Sequence, residues 1–476
     1  VPLNENRQEK ASANVSLDDE RVQRWNDRPI ATGRAARYVV YWMQANRRAV
    51  DNPALELAVA EANRLGLPVV VYEALRPDYP FASDRLHRFV LEHARESAKR
   101  LARRGIAHGF FLPADREAAR GVAAKVMSHA ALVVSDTHPS FIFPRQNAAA
   151  AAAASCAYVT VDDNCIVPMA RTGNHEVAAR TIRSKLMKAL DGFLHPTREI
   201  SPKVRAGEME WPFAPENLAS LDLDAAVARC AIDHGVRPVA DRVGGSDAAR
   251  DQLASFLLGA GKKYDEGRSF APKEWTSGLS PYLHFGAISA RAVAMAARDA
   301  LVGPARDAFL EQLVVRRGLA FNHAATEPRH AEWEAVPAWA RASLLEHAGD
   351  PRREGKSEAE LEAAQSGDAV WDAAQRELRV RGRMHNVLRM YWGKRLLELL
   401  PDPVTAFRFG VRMWDKYSLD GRDPNTYTGV GWCFGLHDQP FPERAIFGRV
   451  RPMGQGALKK RFQLGDYVRS VPARIE

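Results

Sequence analysis

Short apolar runs alternate with amphipathic helical segments over roughly the first 175 residues of this chain, and beyond that point the runs stop. Arg37-Tyr-Val-Val-Tyr-Trp-Met43 is β-branched and aromatic and reads as a buried strand. Asn52 and Pro53 then supply a cap and a first helical residue, Leu55, Leu57, Ala58, Ala62 and Leu65 an apolar face, and Gly66 a stop. Pro68-Val-Val-Val-Tyr72 is the next strand. Ser83 caps a long helix whose Leu86, Phe89, Val90, Ala94, Ser97 and Leu101 recur at helical spacing until Gly105. Further strands are expected at Ala107 to Leu112, Ala131 to Ser135 and Tyr158 to Asp162. Strands that alternate with helices imply an α/β fold with a doubly wound parallel sheet, Rossmann-like in outline. The alanine run Ala148 to Ala154 is a helix of minimal side chains with no functional message.

A chain of 476 residues is too long for a single ordinary core. Four regions are expected. Residues 1–35 form a polar N-terminal arm, mobile or an early helix. Residues 36–175 hold the sheet, and 176–247 form an inter-domain linker whose 204–245 stretch is rich in Pro, Gly and Asp. Residues 248–476 form an all-helical domain. The charged, Ala-rich 345–368 stretch reads as a surface loop and helix.

Lys and Arg exceed Asp and Glu by nine, a surplus that suits a polyanion such as DNA and a generic soluble surface equally well. Cys156, Cys165, Cys230 and Cys433 show neither C-x-x-C nor zinc-finger spacing, so no metal is expected. No stretch is long and apolar enough to cross a membrane, and Val1 to Lys10 lacks a signal-peptide hydrophobic region, so a cytoplasmic location is expected by default. No G-x-G-x-x-G or P-loop motif follows a strand, so any cofactor belongs to the helical half.

Three segments there carry chemistry. In Glu274-Trp-Thr-Ser-Gly-Leu-Ser-Pro-Tyr-Leu-His-Phe-Gly-Ala-Ile-Ser289, Thr276, Ser277 and Ser280 crowd ahead of a helix that begins near Pro281. Such an entrance suits a diphosphate, and plain N-capping by Ser280 accounts for it as well. In Arg383 to Trp392, Met384, Val387, Leu388, Tyr391 and Leu396 fit the buried side of a helix, while His385, Asn386 and Arg389 lie on a neighbouring face. Tyr417 to Trp432 contains the turn formers Asp420-Gly421 and Asp423-Pro424-Asn425, a surface loop unless a buried Arg389 pairs with Asp420.

Together these segments resemble the photolyase/cryptochrome superfamily: S-x-L-S-P-Y-L-H-F-G, M-H-N-x-L-R-M and D-G-R-D-P-N are its FAD-pocket wording. R-M-Y-W-x-K, L-D-G-R-D-P-N-x-Y and W-C-F-G-x-H-D resemble the class II photolyases in particular. So do Tyr38-Val-Val-Tyr-Trp-Met-Gln44, Asp51-Asn52 and Ala178-Ala-Arg-Thr-Ile-Arg183, and the likeness runs from about residue 36 to 455.

The resemblance implies a helical domain that binds a bent FAD. Tyr264 and the run Thr276, Ser277, Gly278, Leu279 and Ser280 hold its diphosphate region, Arg316 and Asn386 sit beside it, and Arg389 and Asp420 form an ion pair against its ring. Asp423 and Asn425 belong to the same pocket. Trp392 and Trp371, twenty-one residues apart, match an electron relay to the photoexcited flavin. The implied activity is blue-light lyase chemistry: reduced FAD donates an electron to a cyclobutane pyrimidine dimer in DNA, flipped out of the base stack. Met390 and Trp432 match positions near the lesion, Arg451 an arginine that enters the DNA gap, and Arg422, Arg444 and Arg449 are cations for phosphates. A monomer is expected. Whether an antenna chromophore fills the N-terminal domain stays open, since Trp42 and Met43 serve equally as core.

The chain departs from this pattern at specific positions. Gly318 replaces a glutamate that hydrogen-bonds the dimer's bases, and Trp414 replaces an asparagine that approaches flavin N5. Gln439 replaces an arginine and Pro452 a tyrosine at the DNA face, and Asn322 to Thr326 lies where the family is aromatic. Gly318, Trp414 and Gln439 motivate an alternative expectation: a repurposed flavoprotein without dimer repair, with a signalling partner or a small-molecule substrate.

Overall fold

The computed structural model of the protein describes residues 14–273, 275–352 and 355–471. Residues 1–13 of the polar arm, Glu274 at the head of the first chemical segment and two residues of the 345–368 stretch lie outside the described residues.

Six strands form one sheet: β1 (Val22–Arg24), β2 (Tyr38–Met43), β3 (Val69–Ala74), β4 (Ala107–Phe111), β5 (Ala130–Asp136) and β6 (Ala157–Val161). Their order is β1-β6-β5-β2-β3-β4. All pairs are parallel except β1 with β6. Every residue of β2 and β5 is buried, as central strands covered on both faces must be. The helix Pro53–Leu65 starts and stops as the sequence dictates: Asn52 accepts from the Ala54 and Leu55 amides, and Gly66 turns at φ +68°.

Two expectations change here. The polar arm contributes β1, with Val22, Gln23 and Arg24 opposite Val161, Thr160 and Val159, and Trp25 Nε1 donating to Thr160 Oγ1 at 2.9 Å. No periodicity announces a three-residue edge strand; its partner alone makes it one. Ser83 occupies the cap position of the helix Asp84–Arg103, but its buried hydroxyl makes no capping hydrogen bond.

After β6 the structure is helical. The helix Ala179–Phe193, within the region expected to be linker, packs Ile182, Leu186 and Leu190 into one apolar cluster with Leu253, Phe256 and Leu313. A second cluster holds Trp371, Trp392 and Trp414. The two halves are locked by charge: buried Asp163 pairs with Arg48 and lies 3.4 Å from Arg291, while Asp51 meets Arg291 at 3.0 Å and accepts from Ser289. No described helix is long and apolar enough to cross a membrane.

Candidate functional site

Three backbone irregularities bring the helical domain's polar residues to one cleft. The first is the loop ahead of the short helix Ser280–His284, where Gly278 turns at φ +66°. The loop is held from behind, with Arg242 Nη1 donating to the Gly278 carbonyl at 2.7 Å and Gln252 Nε2 to that of Ser277 at 2.9 Å. Ser280 is the first helical residue, and its side chain makes no cap, so N-capping does not explain it. The second is a π-helical turn, Glu311–Arg316, that precedes the helix Arg317–Thr326. The third is the Asp420–Asn425 turn, where Asp423 caps the helix Pro424–Cys433. Tyr264, Ser277, Ser280, Gln312, Arg317, Asp420, Asp423 and Asn425 line the resulting cleft.

Its charge is anchored by Asp423. Burial alone would raise this carboxyl, but His284 Nδ1 at 3.2 Å and the Arg317 guanidinium at 3.9 Å outweigh it and hold Asp423 well below the usual carboxylate range. Arg317, rather than Arg316, therefore faces the cleft. Arg316 has a half-exposed side chain and lies 3.4 Å from Glu311. The physical reason is the wide turn just before it, which rotates the helix face by about one residue.

Arg389 and Asp420 do meet, at 3.8 Å. The helix expected to run through Arg383 is broken, since Gly382 ends one helix at φ +61° and His385 caps the next, Asn386–Leu399. Asn386 is consequently an exposed first-turn residue and does not line the cleft. Arg389 Nε, His385 Nε2 and Trp414 Nε1 are buried without a hydrogen-bond partner. Burial lowers His385 to about 4, so its ring is neutral. The Arg389 orphan, joined to the cleft through Asp420, suits a polar ligand there.

Behind Arg389 lie three indoles. The guanidinium sits 3.8 Å from the centre of the Trp414 ring. Trp414 meets Trp392 edge-on at 6.3 Å, and Trp392 stacks on Trp371 at 5.6 Å with the planes 12° apart. All three are 1% exposed or less. Trp392 Nε1 donates to Gln375 Oε1 and Trp371 Nε1 to the Trp392 carbonyl, both at 3.0 Å.

Gly318 leaves no empty space. A Cβ there would lie 2.6 Å from Leu186 Cδ1, so the helix Ala179–Phe193 fills the slot. Arg422 is also displaced from its expected role. Its backbone takes φ +65°, its Nη1 donates to the Asp415 carbonyl, and its buried side chain lines an interdomain cavity instead of meeting DNA phosphates. Asp415 beneath it is pushed up to about 6 by burial, against the pull of Arg422.

Outside the cleft lining, Arg444 and Arg449 are exposed, and Arg451 pairs with Asp438 at 2.9 Å. Met390 and Trp432 are half-buried there, with Arg451 and the fully buried Lys394 5.8 and 5.2 Å from the Trp432 ring centre. Thr276 stays partly exposed outside the cleft lining. The interdomain cavity, about 280 Å³, lies beyond the carboxyl ends of β2 and β3 and is lined by Trp42, Tyr72, Phe111, Phe285 and Arg422. Trp42 belongs to it, whereas Met43 is core. Sequence reasoning missed Arg317, Gln312 and His284. His284 stands inside the Glu274–Ser289 segment and Arg317 next to Gly318, while Gln312 carries no signal.

A DNA photolyase family model matches residues 39–203. The deoxyribodipyrimidine photo-lyase of Methanothermobacter thermautotrophicus is 36% identical over 432 residues, covering 90% of this chain and 94% of that protein. The enzyme of the same name from Oryza sativa is 34% identical, covering 91% and 87%. Among solved structures, a class III photolyase from Agrobacterium tumefaciens superposes with a TM-score of 0.68 at 20% identity, covering 93% of this chain and 88% of that one. An archaeal photolyase from Sulfolobus tokodaii, described with two FAD molecules and the implication of a novel light-harvesting cofactor, gives a TM-score of 0.63 at 16% identity, covering 91% of this chain and 90% of that one. These two structural likenesses speak for the fold.

Proposed function

Since this chain belongs to the photolyase/cryptochrome superfamily, as a flavoprotein of the photolyase type, we propose that it is a light-driven lyase that splits cyclobutane pyrimidine dimers in DNA with reduced FAD. The observation that carries this reading is the Arg389–Asp420 pair, poised between a hydroxyl-lined cleft and stacked tryptophans. When bound, FAD supplies the blue-light electron that opens the dimer's cyclobutane ring.

The residues present fit that group. Ser277, Ser280 and Asn425 offer hydrogen bonds to a diphosphate, with Arg317 as its counter-charge. The neutral His385 and the orphaned Arg389 Nε are available to the flavin's polar edge. Trp392 and Trp371 restore electrons to the flavin through their stacked rings. Arg444 and Arg449 meet phosphates, while Met390, Trp432 and Arg451 receive the flipped lesion. A cytoplasmic location is part of the same proposal, since the DNA substrate lies there in a cell without a nucleus. The interdomain cavity, with Trp42, Tyr72, Phe111 and Phe285 in a lining otherwise rich in alanine, suits a planar antenna pigment. Similarity over most of the chain to proteins named as photo-lyases favours repair over the repurposed reading.

The test is direct. Reduced, flavin-loaded protein is illuminated with dimer-containing oligonucleotide while the absorbance of restored thymines is followed. Recovery is expected; none, with no preference for damaged over intact DNA, refutes the proposal. Separately, Trp392→Phe is expected to slow photoreduction of the oxidised flavin, and an unchanged rate removes the relay.

A further inference from the structure

We propose that Trp414 is the inner member of a three-indole relay, the residue through which electrons leave the protein for the flavin. The inference rests on the preceding reading of Trp392 and Trp371 as electron carriers and extends it to a position where the resemblance implies asparagine.

The geometry is continuous. Asp420 lines the cleft, Arg389 bridges from Asp420 to the face of Trp414, and Trp414 touches Trp392, which stacks on Trp371. No aliphatic layer separates these rings, and each is at least 99% buried. Trp392 also stacks on Phe409, at 6.2 Å, but a phenyl ring is not oxidised where an indole is, so the path has no side branch there.

Electrostatics give the path a direction. The Arg389 charge over Trp414 opposes loss of an electron from that ring. Its Nε1 has no acceptor, so an oxidised Trp414 keeps its proton and its positive charge beside a guanidinium. Trp392 and Trp371 carry no cation over their rings among the described residues, and both donate to a carbonyl-type oxygen, which stabilises the oxidised ring. A hole formed on Trp414 therefore runs outward, to Trp392 and then Trp371. Return to the flavin is disfavoured for the same reason.

The electrons balance. One electron leaves the Trp414 ring for the photoexcited flavin, Trp392 refills Trp414, and Trp371 refills Trp392. The electron missing from Trp371 comes from a soluble thiol. For every two electrons delivered, two thiols become one disulfide and release two protons.

The experiment uses the full-length, FAD-loaded protein under blue light with dithiothreitol as the thiol. Flavin bleaching per bound flavin and transient indole-radical absorption are compared in wild type, Trp414→Phe, Trp414→Tyr and Trp392→Phe. Trp414→Phe keeps an aromatic ring against Trp392 and is expected to slow bleaching about tenfold or more, as loss of a step does. Trp414→Tyr, with an oxidisable phenol, recovers part of the rate and adds a tyrosyl signal. A wild-type rate and radical yield in Trp414→Phe, beside a slowed Trp392→Phe, overturns the inference and leaves the two-tryptophan relay standing. Wild-type rates in both overturn the relay and this inference together. Should Trp414→Phe not load flavin, Trp414→Tyr decides: a full-rate, purely indole signal refutes the proposal.

Discussion

Gly318 stands where a glutamate is expected, and the structure makes its packing testable by a double-mutant cycle with Leu186. In Gly318→Ala the new Cβ meets Leu186 Cδ1 at 2.6 Å, while Leu186 is 1% exposed and hemmed in by its own cluster. Overpacking of this kind costs about 1–3 kcal/mol. Alanine also returns about 1 kcal/mol of helix propensity within Arg317–Thr326. The net expectation is a destabilisation of about 0–2 kcal/mol. Leu186→Ala alone leaves a cavity and costs about 2–5 kcal/mol. In that background the obstruction is gone, only the propensity gain remains, and Gly318→Ala becomes stabilising by about 1 kcal/mol. The two substitutions thus couple by about 1–3 kcal/mol. Urea unfolding followed by helical circular dichroism, on all four proteins, measures the cycle. If Gly318→Ala has the same effect in both backgrounds, Leu186 does not fill the glycine's slot and the argument fails. The same contact forecasts that Gly318→Glu, alone or with Trp414→Asn, does not restore a lesion-facing carboxylate while Leu186 is in place.

Two further predictions rest on buried ionisable groups. Asp415 rises from 3.8 to about 6 on folding, so its folded form holds the proton more tightly, and the protein is expected to lose stability as pH rises through 6. That difference is worth about 3 kcal/mol, and it should vanish in Asp415→Asn; a pH profile of melting temperature that is the same in both proteins refutes it. Lys394 is fully buried, its ammonium makes no hydrogen bond among the described residues, and burial lowers it to about 8 against the pull of Asp438. Its unfolded form binds more protons between pH 8 and 10.5, so stability is expected to climb across that range. Lys394→Met should flatten the climb and raise stability at pH 7 by up to about 3 kcal/mol; a less stable variant would mean the ammonium is satisfied.

The features readable along the chain are those that obey local rules. Asn52, Pro53 and Gly66 bound a helix through contacts within a few residues, and β-branched runs mark central strands because both faces of such strands are buried. The motif residues Ser277, Ser280, Asp420 and Asp423 line one cleft, and Arg389 meets it only through Asp420. The rest emerges on folding, because each point depends on a partner far away in the chain. β1 exists through β6. Arg317 replaces Arg316 because a π turn shifts the helix phase, and Arg422 turns inward because its guanidinium and backbone amide both donate to Asp415. Gly318 reads as a lost acid until Leu186, 132 positions earlier, is seen against it. Trp414, an intrusion in the linear motif, acquires a role only when Trp392 and Arg389 are packed on either side of it.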